Sequence, residues 1–179
     1  MTVVRVIGCG NPDAGDDAAG IVAVERARDV LRAIPGVEVR PEVSPLEVVH
    51  LLEGAEAIVV VDAIRTPGAA RSPGRVIRAV AEPDGFPGAF RSSLSSHGFG
   101  VMEAFGLAST VGRAPQVVVI GVEAEDTTAG RPMSEAVREA LPGLTAAIVR
   151  EARTLASQAE GAPNDGSRDP ARNDEPGAR

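Results

Sequence analysis

Apolar and polar positions follow two different periods along this chain, and the switches between them mark its elements. Val3 to Gly8 is a short run rich in β-branched residues that stops at a glycine, which predicts a first strand. From Ala18 to Ile34 the apolar residues Ile21, Val22, Val24, Val30, Leu31 and Ile34 recur at helical spacing, and Pro35-Gly36 stops that helix. Val37 to Val43 alternates and reads as a second strand, and Pro45 to Leu52 as a short helix. Ala57 to Val61 is continuously apolar and is bounded by Asp62. A strand this apolar is expected to be buried on both faces, as in a parallel sheet covered by helices.

The second half continues the alternation. Arg65 to Gly74 is a Pro/Gly-rich loop, Arg75 to Val80 an expected edge strand, and Glu82 to Ser96 a long loop with two prolines, two glycines and four serines. Gly98 to Val111 reads as a helix and Gln116 to Val122 as another buried strand. Ser134 is the expected N-cap of a last helix that continues to about Ala156, with a bend at Pro142-Gly143. No internal repeat is present. Strands alternating with helices predict an α/β three-layer sandwich, a mostly parallel twisted sheet of about five strands flanked by helices on both faces. Residues 1–157 form the expected domain. Residues 158–179 are almost devoid of apolar side chains, cannot offset their ordering entropy, and are expected to be a disordered polar tail.

Composition narrows the function. Four Phe, no Tyr and no Trp leave a core of Val, Ile, Leu and Ala, and few rings on which nucleic-acid bases could stack. A net charge of −7 repels phosphate backbones and anionic lipid, so neither nucleic acid nor membrane is an expected partner. One cysteine, Cys9, excludes an internal disulfide and a thiolate metal cluster. No signal-peptide architecture and no apolar run of roughly 20 residues are seen, which makes the cytoplasm the expected location.

Three loops carry candidate chemistry, and ligands in open α/β sheets sit beyond the carboxyl ends of the strands. The first, Gly8-Cys9-Gly10-Asn11, suggests a dinucleotide loop, but Asp13 stands where the third glycine belongs. Asp16 and Asp17 also place negative charge where a pyrophosphate needs positive potential. A plain alternative for this acidic pair is that one caps the following helix and the other complements its dipole. Cys9 reads as a small buried residue, with a thiol role left open.

In the second loop Asp62 ends a buried strand, where a carboxylate is costly to desolvate without a partner. It either caps the next turn or serves as a ligand or catalytic carboxylate on the same sheet edge as Asp17. In the third, His97 follows a serine-rich stretch, whereas His50 sits in the apolar short helix and reads as a bland histidine. A Ser-His-Asp hydrolase built from Ser95 or Ser96 with Asp62 lacks a nucleophile elbow.

Taken in order, these loops resemble the hydrogenase maturation protease family. That family opens with G-x-G-N and two acidic residues, here Gly8, Gly10, Asn11, Asp16 and Asp17. A hydrophobic strand ending in Asp-Ala follows, here Val60-Val61-Asp62-Ala63, then Ser-x-His-x-x-Gly, here Ser95-Ser96-His97-Gly98-Phe99-Gly100. Ile120-Gly121-Val122-Glu123 and Met133-Ser134-Glu135-Ala136-Val137 match two later segments, so the resemblance spans roughly residues 3 to 155. Each motif alone is weak, and the ordered set is specific. Departures are Pro41-Glu42-Val43-Ser44-Pro45 where a Gly-Thr is frequent, Ala18 for a glycine, and Ser96 for a proline.

The resemblance implies an endopeptidase that removes the C-terminal extension from the nickel-loaded large-subunit precursor of a nickel-iron hydrogenase. It implies that Asp17, Asp62 and His97 contact the nickel and carry the catalysis, an open site of mixed oxygen and nitrogen donors suited to a borderline divalent metal. Nickel is then supplied by the precursor, and no tightly held cofactor is expected. A monomer is expected, and the cut bond would follow a basic residue. A non-catalytic nickel-checking or delivery factor with the same trio, and an unrelated metallohydrolase with a resident metal, are the competing readings.

Overall fold

The computed structural model describes residues 3–41, 50–65, 71–81 and 115–161. Five strands are present among these: β1 (Val4–Gly8), β2 (Val37–Arg40), β3 (Ala57–Ile64), β4 (Val76–Val80) and β5 (Gln116–Glu123). They form one sheet in the order β2-β1-β3-β5-β4. All neighbouring pairs are parallel except β4 with β5, so β4 is an antiparallel edge strand. A 3₁₀ turn (Gly15–Ala18) leads into α1 (Ala19–Arg32), and α2 (Glu135–Gly161) closes the described chain.

Both faces of the central strands are buried, as their unbroken apolar sequences require. One face packs Val4, Val6, Val59, Val61, Val118, Ile120 and Val122 against α1 and α2. The buried positions of α2, among them Val137, Leu141, Leu144, Ile148, Ala152 and Leu155, recur every three or four residues and make a single stripe. Residues of the opposite parity, Ile7, Ile58, Val60, Ile64, Val117 and Val119, meet Cys9, Ala79 and Leu52 on the second face. The helical residues 50–52 bring Leu51 and Leu52 to that face, and the Arg5 guanidinium donates to the Leu51 carbonyl at 2.7 Å. The expected helix from Gly98 to Val111 and the loop before it lie outside the described residues, as does the tail beyond Gly161.

Two local expectations change. β3 does not stop before Asp62 but runs through it to Ile64, because β5 offers ladder partners up to the pair Ile64–Glu123. α2 continues through Pro142 and Gly143 and ends at Gly161, about one turn past Ala156. Its stripe keeps the register despite the donor that Pro142 lacks. The edge strand β4 is tied to α2 by Arg78, whose guanidinium donates to both Glu151 oxygens at 2.8 Å, which accounts for the burial of that carboxylate.

Candidate functional site

The carboxyl ends of β1 and β3 lie side by side, and the chain leaving β1 is stitched to β3 at once. The Cys9 amide donates to the Val61 carbonyl at 2.8 Å, one residue before Asp62. Gly10 follows with φ of 127°, a conformation that side-chain-bearing residues rarely adopt. A Cβ there would also overlap the backbone carbonyl oxygen of Asp17. The loop therefore closes on itself. The Asn11 amide donates to Asp17 Oδ2 at 2.8 Å, Asp13 N–H to Asn11 Oδ1 at 3.0 Å, and Asp17 N–H to the Ala14 carbonyl at 3.0 Å. The glycines and Asn11 of the first motif thus hold the Asp17 carboxylate in a backbone-lined turn.

Asp17 and Asp62 are 4% and 6% exposed, and the two carboxylates interact electrostatically. Asp62 Oδ1 accepts from the Ala63 N–H at 2.8 Å. Its pKa is pushed up to about 7, first by desolvation and then by the negative charge of Asp17, with the Ala63 N–H opposing. A base or a divalent cation brought to Asp62 would displace its proton. Cys9 borders the same spot. Burial, then Asp62, then Asp17 push its thiol well above the usual range, which favours the neutral thiol while the loop is closed.

Asp16 does not cap its own helix, and neither does Asp17. The 3₁₀ turn and α1 both begin without a side-chain cap. Asp16 is fully buried and reaches instead to the far end of the chain. Its Oδ2 accepts from Glu125 N–H at 2.8 Å, Asp126 N–H at 3.0 Å and Ser134 Oγ–H at 2.9 Å, and its Oδ1 from Ser134 N–H at 2.6 Å. Ser134 keeps its expected role as well, with its Oγ accepting from Val137 N–H at 3.3 Å to cap α2.

His97, Ser95 and Ser96 lie outside the described residues, so the third member of the candidate trio is not placed. His50 is exposed at the start of the helical residues 50–52. Among the described residues no three His, Cys, Asp or Glu side chains are grouped to hold a metal; Asp17 and Asp62 offer oxygen donors alone. One buried acid has no assigned role in the sequence reading. Glu123 ends β5 fully buried, with neither carboxylate oxygen hydrogen-bonded and the Arg75 guanidinium 3.4 Å away. Its place at the end of the Gly-x-Glu segment was the only signal for it.

A family model described as hydrogenase maturation protease matches residues 43–151, a span that includes Asp62 and His97 and starts after Asp17. No curated protein matches the chain. Among solved structures, the chain is similar to the hydrogenase-maturating endopeptidase HybD from Escherichia coli, at 19% identity and a TM-score of 0.70 over 86% of this chain and 93% of that one. It is also similar to the NiFe hydrogenase maturation protease HybD from Thermococcus kodakarensis, at 20% identity and a TM-score of 0.64, covering 84% and 99% of the two chains. A third similar structure is the NiFe hydrogenase maturation protease HycI from Thermococcus kodakarensis KOD1, at 26% identity and a TM-score of 0.58, covering 86% and 93%.

Proposed function

This chain belongs to the hydrogenase maturation protease family and is a peptidase, and from that premise we propose that it removes the C-terminal extension from the nickel-loaded large-subunit precursor of a nickel-iron hydrogenase. In this reading Asp17, Asp62 and His97 contact nickel that arrives with the substrate, and the enzyme holds no tight metal of its own.

The observation that carries the proposal is the buried Asp17–Asp62 pair at the carboxyl edge of the sheet. Two desolvated carboxylates repel each other, which is part of why Asp62 titrates near neutrality. A divalent cation brought between them relieves that repulsion and displaces the proton. A precursor carrying nickel gains this contact, and a precursor without it meets a buried acidic pair with no cation to bridge it. Recognition of the inserted metal thus becomes an added contact worth several kcal/mol in principle, enough for about a hundredfold discrimination.

Hydrolysis of the peptide bond needs a water oxygen to add to the carbonyl carbon and a proton to reach the departing amine. A carboxylate whose pKa is close to the working pH suits that proton traffic, since it is ionised often enough to accept and acidic enough to return the proton. Asp62 has that property before nickel contacts it; with nickel present Asp62 is a ligand beside Asp17, which the Asn11 N–H anchors, and the metal would supply the polarisation of the carbonyl.

The test is to incubate the purified protein with nickel-loaded and nickel-free precursor and follow the mass of the large subunit. Shortening of the nickel-loaded form alone is expected. Binding of that form without any shortening would replace the peptidase reading for this substrate with a nickel-checking role. Efficient shortening of the nickel-free form would remove the role of the metal.

A further inference from the structure

We infer that Asp16 is the positioning residue of this site: its carboxylate locks the turn that carries Asp17 onto the exit of β5 and the start of α2. The inference deepens the proposed function and rests on it for the reaction concerned.

The argument begins with the geometry of the turn. Asp16 and Asp17 are consecutive in a 3₁₀ segment, Gly15–Ala18, where successive side chains diverge by about 120°. Both are buried, so they are buried against different things. Asp17 turns toward Asn11 and Asp62, whereas Asp16 turns toward residues 125–134. Fixing one direction fixes the other.

The lock on the Asp16 side is saturated. Four donors from three residues, Glu125, Asp126 and Ser134, converge on its two oxygens, close to the full accepting capacity of a carboxylate. Both oxygens are committed to these donors, which is why the residue is assigned to positioning and not to catalysis. The backbone repeats the same docking. Asp16 N–H donates to the Asp126 carbonyl at 2.9 Å, Gly15 N–H to Arg131 at 3.1 Å, and Gly130 N–H to Asp13 at 2.7 Å. Gly15, at φ of 56°, lets the two loops approach so closely that a Cβ would stand 2.6 Å from the Asp126 carbonyl oxygen.

A charge alone would not need this arrangement, and a packing residue would not need to be charged. An Asn at this position exchanges one acceptor for a donor, so at least one N–H or O–H of the cluster then faces a donor. The turn must shift to relieve that contact, and Asp17 shifts with it. Displacements of the order of 1 Å at a reacting centre cost about a hundredfold in rate.

The experiment compares four proteins: wild type, Asp16→Asn, Ser134→Ala and Leu155→Ala. Leu155 is a buried core residue of α2 roughly 30 Å along the helix from Ser134, and it supplies a loss of stability unconnected with the turn. Two readouts are taken on folded protein: kcat and KM for nickel-loaded precursor, and the rate at which a thiol reagent labels Cys9. That residue is the only cysteine in the chain, and it sits in the loop that closes on Asp17.

Asp16→Asn is expected to lower kcat about 10–100-fold with KM within about twofold, and to label about tenfold faster than wild type. Leu155→Ala is expected to keep the wild-type kcat. Equal kcat in Asp16→Asn and wild type, or labelling no faster than in Leu155→Ala, overturns the inference. Should Asp16→Asn fail to fold, Ser134→Ala decides: it removes one donor to Asp16 together with the cap on Val137 N–H, and comparison with Leu155→Ala, which loses stability without touching the turn, separates the two losses. A fall in kcat of about two- to fivefold supports the lock, and an unchanged kcat refutes it. If the wild type cleaves nothing, the proposed function fails, and the labelling rates still decide whether Asp16 holds the turn.

Discussion

Asp16 and Asp62 are both buried aspartates near one edge of the sheet, and they live in opposite surroundings. Asp16 accepts four hydrogen bonds from Glu125, Asp126 and Ser134. Among the described residues Asp62 accepts one from Ala63, and it faces the negative charge of Asp17. Burial is nearly the same, at 0% and 6% exposed, so burial does not distinguish them. What distinguishes them is whether the desolvated charge is repaid by donors. A repaid carboxylate holds structure together, and an underpaid one is left with a proton it will exchange.

The largest expected effect is on activity. Asp17→Asn, Asp62→Asn and His97→Ala are each expected to reduce precursor processing by about a thousandfold or more while remaining folded, as read by conversion of nickel-loaded precursor and by circular dichroism. A processing rate within about tenfold of wild type for any of them would remove that residue from the site.

The next effect concerns stability and pH. Asp62 has a folded pKa of about 7 against an ordinary value of 3.8, so between about pH 4 and pH 7 the folded protein keeps a proton that the unfolded chain releases. This group's contribution is therefore most favourable below about pH 4, weakens as pH rises through that window, and levels off above about pH 7. Asp62→Asn removes the penalty and is expected to stabilise the protein at pH 8 by up to about 4 kcal/mol, with the gain vanishing toward pH 4. Urea denaturation of both proteins at several pH values measures it. A variant less stable than wild type at pH 8 would mean that Asp62 is repaid after all.

Asp16→Asn is expected to move stability the other way, by about 1–3 kcal/mol downward at pH 7. If the two substitutions shifted the urea midpoint in the same direction, the contrast between them would collapse. The smallest effect belongs to His50→Ala, which is expected to leave processing unchanged and stability within about 0.5 kcal/mol, because His50 is exposed.

Much of this was legible in the chain because it depends on local pattern. The strands at Ala57–Ile64 and Gln116–Glu123 follow from continuous apolar runs, which parallel sheets bury on both faces, and Val4–Gly8 from a short β-branched run that stops at a glycine. The cap at Ser134 follows from a hydroxyl placed before an amphipathic run. Asp62 stood out as a charge against an apolar strand, although β3 extends past it because its neighbour β5 does.

The role of Asp16 was not legible. A carboxylate at the start of a helix looks like a cap for that helix, and its real donors are 109 to 118 residues away in sequence. No periodicity reports a partner at that distance. Glu123 is similar, since a strand-end acid gives no sign of how its surroundings will close over it.

The distance between Asp16 and its donors also sets an order in time. Asp17 and Asp62 are made early in the chain, but the N–H groups that fix the first turn belong to Glu125, Asp126 and Ser134. A chain emerging from the ribosome at about 5–20 residues per second carries both carboxylates for several seconds before residue 134 is made. Through that interval the turn that carries Asp17 lacks the donors that dock it onto residues 125–134. A chain stalled before Ser134 is therefore expected to carry Asp17 and Asp62 without the lock that Asp16 makes to residues 125–134.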